Sequence, residues 1–206
     1  MLITCSKEQN VTKPNWFKGV FNIKDEQLFE KTLSTSYLYR GRIISVRQDT
    51  VMTHEGETAY REVVEHPGAV AILAIDDQNR IIMVRQHRQP AEAVMLEIPA
   101  GKLELHEEPL TCAKREFQEE AAMDAACWEQ ILTFYPSPGF CDEKIYIFKA
   151  EGLKPAISPG TDPDENLAVE KIPLEEALKM IDNGQIIDGK TIIALQQYQL
   201  KSNSVK

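Results

Sequence analysis

The residues of this chain that could do chemistry lie close together, in the stretch Gly101-Lys-Leu-Glu-Leu-His-Glu107, seven residues more, and then Arg115-Glu116-Phe117-Gln118-Glu119-Glu120-Ala121-Ala122-Met123. On a helix, Glu116, Glu119 and Glu120 fall at i, i+3 and i+4 and share one face. Carboxylates placed this way repel one another, at a cost of roughly a few tenths of a kcal/mol per pair in an isolated helix. Hard divalent cations sitting among them would account for the crowding, because Mg²⁺ takes a few carboxylates together with water and phosphate oxygens. Arg115 can pair with a neighbouring carboxylate and hold it in one rotamer. The ordinary explanation of an acidic helix face is simple solvation. A loop glycine, a glutamate six residues on and an Arg-Glu-apolar-x-Glu-Glu core make a far more restrictive pattern than that.

These side chains need a helix, and a sheet for the helix to dock on. Residues 107–123 are rich in Ala, Glu and Leu, with Pro109 in the permitted first turn. Leu110, Ala113, Phe117 and Ala121 give that helix an apolar stripe. Upstream, AVAILAI (69–75) and RIIMVRQ (80–86) flank the polar turn Asp76-Asp77-Gln78-Asn79 and read as two strands. The first is continuously apolar, as a strand buried on both faces must be. AVMLEIPAG (93–101) reads as one further strand ending at Gly101, and strands are expected at about 128–135, 144–150 and in LAVEKI. Between Tyr37 and His66, β-rich runs around the turn His54-Glu55-Gly56 predict a hairpin. Before it, residues 1–36 have weak periodicity and read as a leader anchored by Trp16, Phe17 and Phe21. Two helices, PLEEALKMIDN closed by Gly184 and roughly DGKTIIALQQYQL, end the chain. Mixed strands with three helices predict an α/β or α+β sandwich.

Composition narrows the classes of function. At 206 residues and 23.4 kDa the chain can bury a sizeable core as one domain with a small appendage. Acids outnumber Lys plus Arg 32 to 23, giving a net charge of -9, so the electrostatic footprint of a nucleic-acid binder is missing. No apolar run approaches a membrane span, and the N-terminus has no signal-peptide core. Cys5, Cys112, Cys127 and Cys141 form no Cys-x-x-Cys pair, and His54, His66, His87 and His106 have no ligand spacing. The expectation is a soluble cytoplasmic protein with reduced thiols, in which Cys112 is a small core residue.

The 101–123 spacing resembles the Nudix hydrolases, whose box reads G-x5-E-x7-R-E-U-x-E-E-x-G-U, with U a bulky apolar residue. Every specified position matches except one, because Ala122 stands where the family has its last glycine. Around the box, HPGAVAILA, RIIMVRQHR, EIPAGKLE and FYPSPGF with Asp142-Glu143 look like the ADP-ribose pyrophosphatase branch. With KTIIALQQYQL, the resemblance covers about residues 28–201. It implies an α/β fold, the Nudix α/β/α sandwich with a mixed sheet, over residues 67–206. It also implies an N-terminal antiparallel β subdomain at 37–66, exchanged across a homodimer.

By the same resemblance, Glu116 and Glu120 are the principal Mg²⁺ ligands, joined by the Ala100 carbonyl, with Mn²⁺ as a substitute ion. Glu119 ligates metal or positions water, Arg115 orients the cluster, and Glu107 supports the metal site. The branch carries a catalytic glutamate on a loop before the last strand, here Gly160-Thr-Asp162-Pro-Asp164-Glu165-Asn166. Glu165 is the expected base, with Asp164 and Asp162 behind it, although an acidic Pro/Asp turn needs no function to exist. Arg61 and Arg88 are expected to bind substrate phosphate bidentately, against the alternative of surface ion pairs. Pro138, Gly139 and Phe140 stand at the position where the branch selects ADP-ribose, though Phe140 alone is equally well read as a core residue. Tyr37 and Tyr39 lie where the branch stacks adenine, or are plain strand residues.

The implied reaction is hydrolysis of the ADP-ribose diphosphate to AMP and ribose 5-phosphate. The alternatives are another nucleotide sugar such as GDP-mannose, or a poorly active ADP-ribose-binding dimer whose one support is Ala122. If position 122 needs a positive φ, alanine there is strained by roughly 1 kcal/mol; if φ is negative, alanine is harmless.

Overall fold

The computed structural model describes residues 28–157 and 166–204, which fall into two compact units. The leader aromatics Trp16, Phe17 and Phe21 and the acidic loop residues Asp162, Asp164 and Glu165 lie outside the described residues.

The first unit is an antiparallel meander of β1 (Lys31–Arg40), β2 (Ser45–Met52) and β3 (Thr58–Glu65), to which Gly139–Asp142 also belongs. The predicted hairpin is therefore three strands. The additional turn forms at Gly41, whose N–H donates to the Ile44 carbonyl at 2.9 Å, and β1 begins at Lys31, inside the expected leader. All ten residues of β1 are exposed, so KTLSTSYLYR has no buried face to produce the hydrophobic alternation by which strands are recognised. Thr35 ties β1 to β2 by donating to the buried Asp49 carboxylate at 2.7 Å, and Arg47, on β2 itself, donates to the same carboxylate. The 139–142 segment runs beside β3: Val64 N–H donates to the Phe140 carbonyl at 2.7 Å, and Asp142 N–H to the Val64 carbonyl at 3.1 Å.

Among the described residues, the second unit contains a seven-stranded mixed sheet, three α-helices and a single 3₁₀ turn at Gln89–Ala91. Its strands are β4 (Ala69–Ile75), β5 (Arg80–Arg88), β6 (Ala93–Glu97), β7 (Ala100–Lys102), β8 (Met123–Phe134), β9 (Ile145–Pro155) and β10 (Leu167–Pro173). The helices are α1 (Pro109–Ala121), α2 (Leu174–Asp182) and α3 (Gly189–Ser204). β4 and β9 pair in parallel; the remaining pairs are antiparallel. The continuous apolar run of β4 is explained by its two faces. Val70, Ile72 and Ala74 pack with Cys112, Ala113, Phe117 and Ala121 of α1, whereas Ala71, Leu73 and Ile75 pack with Ala177 and Met180 of α2 and Ala194 and Leu195 of α3. Helices thus cover both sides of the sheet, the α/β/α sandwich that the resemblance implies and one of the two classes left open by the strand and helix order.

Two departures from the sequence reading bear on the site. β4 and β5 share one residue pair, Ile75↔Ile81, beside the turn that the Asp76 carboxylate closes onto the Gln78 and Arg80 amides. From there the strands diverge, β5 pairing with β6 and β10, and β4 with β7 and β9. The expected single strand 93–101 is accordingly broken. β6 lies on β5 and β7 on β4, with Ile98-Pro99 crossing between them, because proline has no N–H for a ladder. β8, expected from about 128, instead starts at Met123 directly after α1.

Candidate active site

Arg115 is the hub of a carboxylate cluster on α1. Its Nε and Nη2 donate to both oxygens of Glu107 at 3.0 and 2.9 Å, and its Nη1 donates to Glu116 Oε1 at 2.8 Å and Glu119 Oε2 at 2.9 Å. Its Nη2 also lies 3.3 Å from the Lys102 carbonyl. One guanidinium thus serves three carboxylates, and the helix fold supplies the geometry, because residues 115, 116 and 119 lie within one turn. The hydrogen bonds from Arg115 hold the Glu107 carboxyl down at about 2, and the surrounding carboxylates raise the Arg115 pKa further above its ordinary value. Cys112 lies beneath, fully buried, with its thiol directed at the Lys102 carbonyl 3.3 Å away; burial pushes its pKa up, which leaves it an inert core residue as expected.

The opposite side of the cluster is backbone. A Cβ on Gly101 would stand 1.8 Å from Glu116 Cδ and 2.0 Å from its Oε1, so Glu116 can lie on β7 only because residue 101 has no side chain. One turn along, Glu120 Oε2 accepts the Ala100 N–H at 3.1 Å. Glu116 and Glu120 are 9 % and 5 % exposed, unusual burial for glutamates. The site therefore offers carboxylate and carbonyl oxygens, an excess of negative charge and a backbone cradle, a donor set suited to a hard divalent cation. Among the described residues no group of three or more His, Cys, Asp or Glu side chains is arranged to hold an ion; Glu116 and Glu119 are turned to Arg115 and Glu120 to the Ala100 amide.

The other sequence candidates are spread more widely. Arg88 donates Nε and Nη2 to both oxygens of Glu97 at 2.8 and 2.7 Å, and Arg61 donates Nε to Glu30 at 2.9 Å, so each candidate phosphate arginine is held by a carboxylate. Gly139 has open space where a side chain would be, and Phe140 is 59 % exposed, which excludes the plain core reading for it. Pro138 belongs to the second unit and Gly139 and Phe140 to the first. Tyr37 and Tyr39 are likewise exposed; Tyr37 donates to Glu65 at 3.2 Å and carries Arg40 over its ring at 3.9 Å.

The sequence reading passed over Glu97, which is 1 % exposed and accepts from both Arg88 and Lys190. Burial works against its charge, but the Arg88 hydrogen bonds and the Lys190 charge outweigh it and hold the carboxyl below its ordinary range. A lone charge inside an apolar strand, with its cations 9 residues before and 93 after, has no local spacing to reveal it.

The NUDIX domain profile matches residues 65–195, more than half of the chain and including the whole carboxylate cluster. The chain belongs to the Nudix family. A second profile, the nucleoside diphosphate sugar hydrolase N-terminal domain, matches residues 30–64. The chain is 43% identical over 173 residues to the methanol dehydrogenase activator of Bacillus methanolicus, covering 84% of this chain and 94% of the relative. It is 42% identical over 177 residues to the ADP-ribose pyrophosphatase of Bacillus subtilis (strain 168), covering 85% and 96%. The fold is shared with a crystal structure of an ADP compounds hydrolase, at a TM-score of 0.76 and 21% identity over 85% of this chain and 95% of that one.

Against the Nudix pattern, Ala122 is the departure, and the structure decides between the two readings of it. Ala122 caps α1 in the left-handed region, φ 52 and ψ 38, with its N–H donating to the Gln118 carbonyl at 3.1 Å. A Cβ there costs about 1–2 kcal/mol, partly offset by the freedom glycine would have in the unfolded chain. Ala122→Gly should therefore stabilise the protein by about 1 kcal/mol, raising the melting temperature by roughly 2–4 °C; an unchanged or lower value in thermal denaturation would show that the cap is not strained.

Glu107 supplies a pH signature. Its folded pKa is depressed, so the stability it contributes is complete above its ordinary value of 4.5 and is lost as pH falls from there through about 2. In denaturant titrations without metal, the stability gap between the parent protein and Glu107→Gln should be constant near neutral pH and close progressively on acidification. A gap that does not change across that window would contradict the Arg115 pairing.

Proposed function

We propose that this Nudix enzyme hydrolyses the diphosphate of ADP-ribose to AMP and ribose 5-phosphate, with Mg²⁺ as its ion and Mn²⁺ as a substitute. The observation that carries the reading is Glu116 lying against Gly101 with Glu120 on the Ala100 amide, in a chain 42% identical to an ADP-ribose pyrophosphatase. Glu116, Glu120 and the Ala100 carbonyl would hold the ion, with Glu119 beside them to ligate it or to position water. Bound there, a divalent cation neutralises the diphosphate, polarises phosphorus and makes water more acidic. Arg115 fixes the rotamers of Glu116 and Glu119, and Glu107 fixes Arg115. Water attacks one phosphorus, the bridging P–O bond breaks, and the second phosphate leaves. The proton released by water passes to a base, for which Glu165 is the choice, ahead of Asp164 and Asp162. Arg61, Arg88 and the Pro138-Gly139-Phe140 loop are assigned to substrate contact. The residues 30–64 match supports residues 37–66 as a separate β subdomain beside a hydrolase domain at 67–206.

A second reading, regulation of a partner enzyme, draws on the name of the Bacillus methanolicus relative. Chromatographic product analysis with Mg²⁺ separates the two, using ADP-ribose, GDP-mannose and a dinucleotide as substrates. The expected result is AMP and ribose 5-phosphate from ADP-ribose. In Glu120→Gln the rate should fall by more than roughly 100-fold, since altering even the partners of ligands costs 10–100-fold. Turnover of GDP-mannose alone would keep the chemistry and replace the substrate. No turnover by the folded protein would favour the binding or regulatory reading.

The same reading includes a cytoplasmic homodimer without nucleic-acid or membrane partners; no helix among the described residues is long and apolar enough to cross a membrane. Leu33, Leu38, Tyr39, Met52 and Tyr60 are exposed apolar side chains on a sheet of three strands, which supports burial against a second copy. Sedimentation should give twice the chain mass of 23.4 kDa, and a monomer at micromolar concentration would overturn the dimer.

A further inference from the structure

The backbone that meets Glu116 and Glu120 lies immediately after a break in the sheet, where the chain passes from β6 on β5 to β7 on β4. Between β6 and β7, Pro99 has no N–H, and the Ile98 N–H finds its partner in a side chain, the Thr191 hydroxyl, at 2.9 Å. Thr191 is fully buried in the first turn of α3, on the face of the sheet opposite α1. Its hydroxyl donates to Asp188 Oδ2 at 2.6 Å, and its N–H donates to the same oxygen at 3.0 Å. Asp188 Oδ1 accepts from Lys190 Nζ at 3.0 Å, and Lys190 joins Arg88 on the buried Glu97 carboxylate. One residue past Ile98, the Pro99 carbonyl accepts the Ile72 N–H at 2.8 Å; one further, the Ala100 N–H reaches Glu120 at 3.1 Å. Side chains of α3 therefore grip Glu97 and Ile98 from one side of the sheet, while α1 presents its carboxylates to Ala100 and Gly101 from the other.

We propose that Asp188, Lys190 and Thr191 are positioning residues for the candidate ion site, acting through Glu97 and the Ile98 amide to hold Ala100 in register with Glu120. The proposal rests on the reading of Glu120 as an ion ligand. Its physical content is that a buried amide must have an acceptor. If the hydroxyl is removed, the Ile98 N–H has to move toward water or another oxygen, and it carries Pro99 and Ala100 with it.

Two substitutions separate the hydrogen bond from packing. Thr191→Val keeps the buried shape and removes the hydroxyl, whereas Thr191→Ser keeps the hydroxyl and removes the methyl group. On the full chain, Mn²⁺ affinity is measured by titration calorimetry, Ala100 protection by amide hydrogen exchange, and folding by thermal denaturation. Thr191→Val should weaken Mn²⁺ binding by about tenfold, the low end of what altering a ligand's partner costs, and speed exchange at Ala100. Thr191→Ser should retain both properties. Lys190→Met, which breaks the links to Glu97 and Asp188 at a less buried position, should weaken binding in the same direction and serves if Thr191→Val fails to fold. A purely structural role would lower the melting temperatures and leave Mn²⁺ affinity at the parent value, which overturns the proposal. Equal weakening in Thr191→Val and Thr191→Ser also overturns it. Ion binding that Glu120→Gln abolishes but Thr191→Val and Lys190→Met leave intact overturns the positioning role alone. A parent protein that binds no Mn²⁺, or binds it independently of Glu120, overturns the ion-site reading and the proposal with it.

Discussion

The contact on which the site depends is the Glu116 carboxylate lying where residue 101 would otherwise carry a Cβ. It fixes the distance between α1 and β7, because any side chain at 101 would push the helix from the sheet or turn the carboxylate away. Phe117, the next residue of α1, is fully buried and meets Trp128 of β8 edge to face at 5.9 Å, so the helix cannot rotate to escape such a clash without unpacking its core face. The depth of the carboxylates and the packing of the helix are thus one constraint. A glycine 15 positions before the glutamate it serves is a tertiary requirement written into primary structure.

Charge is the second constraint, and it acts against the first. Burying Glu116 and Glu120 beside Glu107 and Glu119 concentrates like charge where water is scarce, which no fold would favour without compensation. Arg115 supplies part of it through Glu107, Glu116 and Glu119, and backbone N–H supplies another part at Glu120. The other arginines in question are committed elsewhere: Arg88 to Glu97 and Arg61 to Glu30. An anionic diphosphate approaching this cluster meets cations already paired and carboxylates in excess. Its recognition therefore requires either imported positive charge or the exchange of a carboxylate partner for a phosphate, and the all-oxygen donor set favours the former.

What the sequence disclosed follows from how far apart the cooperating residues are. α1 was legible because its apolar stripe and its acids both repeat at helical spacing within 13 residues. β4 was legible because a strand covered by helices on both faces is apolar throughout. The Ile98-Pro99 break was hidden because AVMLEIPAG has the composition of one strand, and which neighbour each half joins is decided by the divergence of β4 from β5 at Ile75↔Ile81. β1 was hidden because its residues are exposed and leave no burial pattern to read. The residues clamping Glu97 come from β5 and α3, more than 90 positions apart in the longest case, and no local period links them. The Ala122 conformation was left undecided by sequence, since alanine is compatible with either sign of φ; the αL value follows from β8 starting at Met123, which obliges the chain to reverse within one residue of the helix end.

The sheet divergence and the placement of the site are connected. After β4 and β5 separate, their two sets of partners need a linking segment, and Ile98-Pro99 makes that crossing. A crossing segment has unpaired backbone by construction, and buried backbone groups must be satisfied. On one side the need is met by α3, through Thr191, and on the other by α1, through Glu120. The α1 carboxylate contact and the α3 clamp are thus two answers to one accounting problem. The same irregularity that would be a defect in a continuous sheet is what places the Ala100 N–H beside the acids of α1, where Glu120 accepts it. A strand running unbroken through 93–101 on β5 would have carried Ala100 and Gly101 away from β4, against which α1 packs, and so away from Glu116 and Glu120.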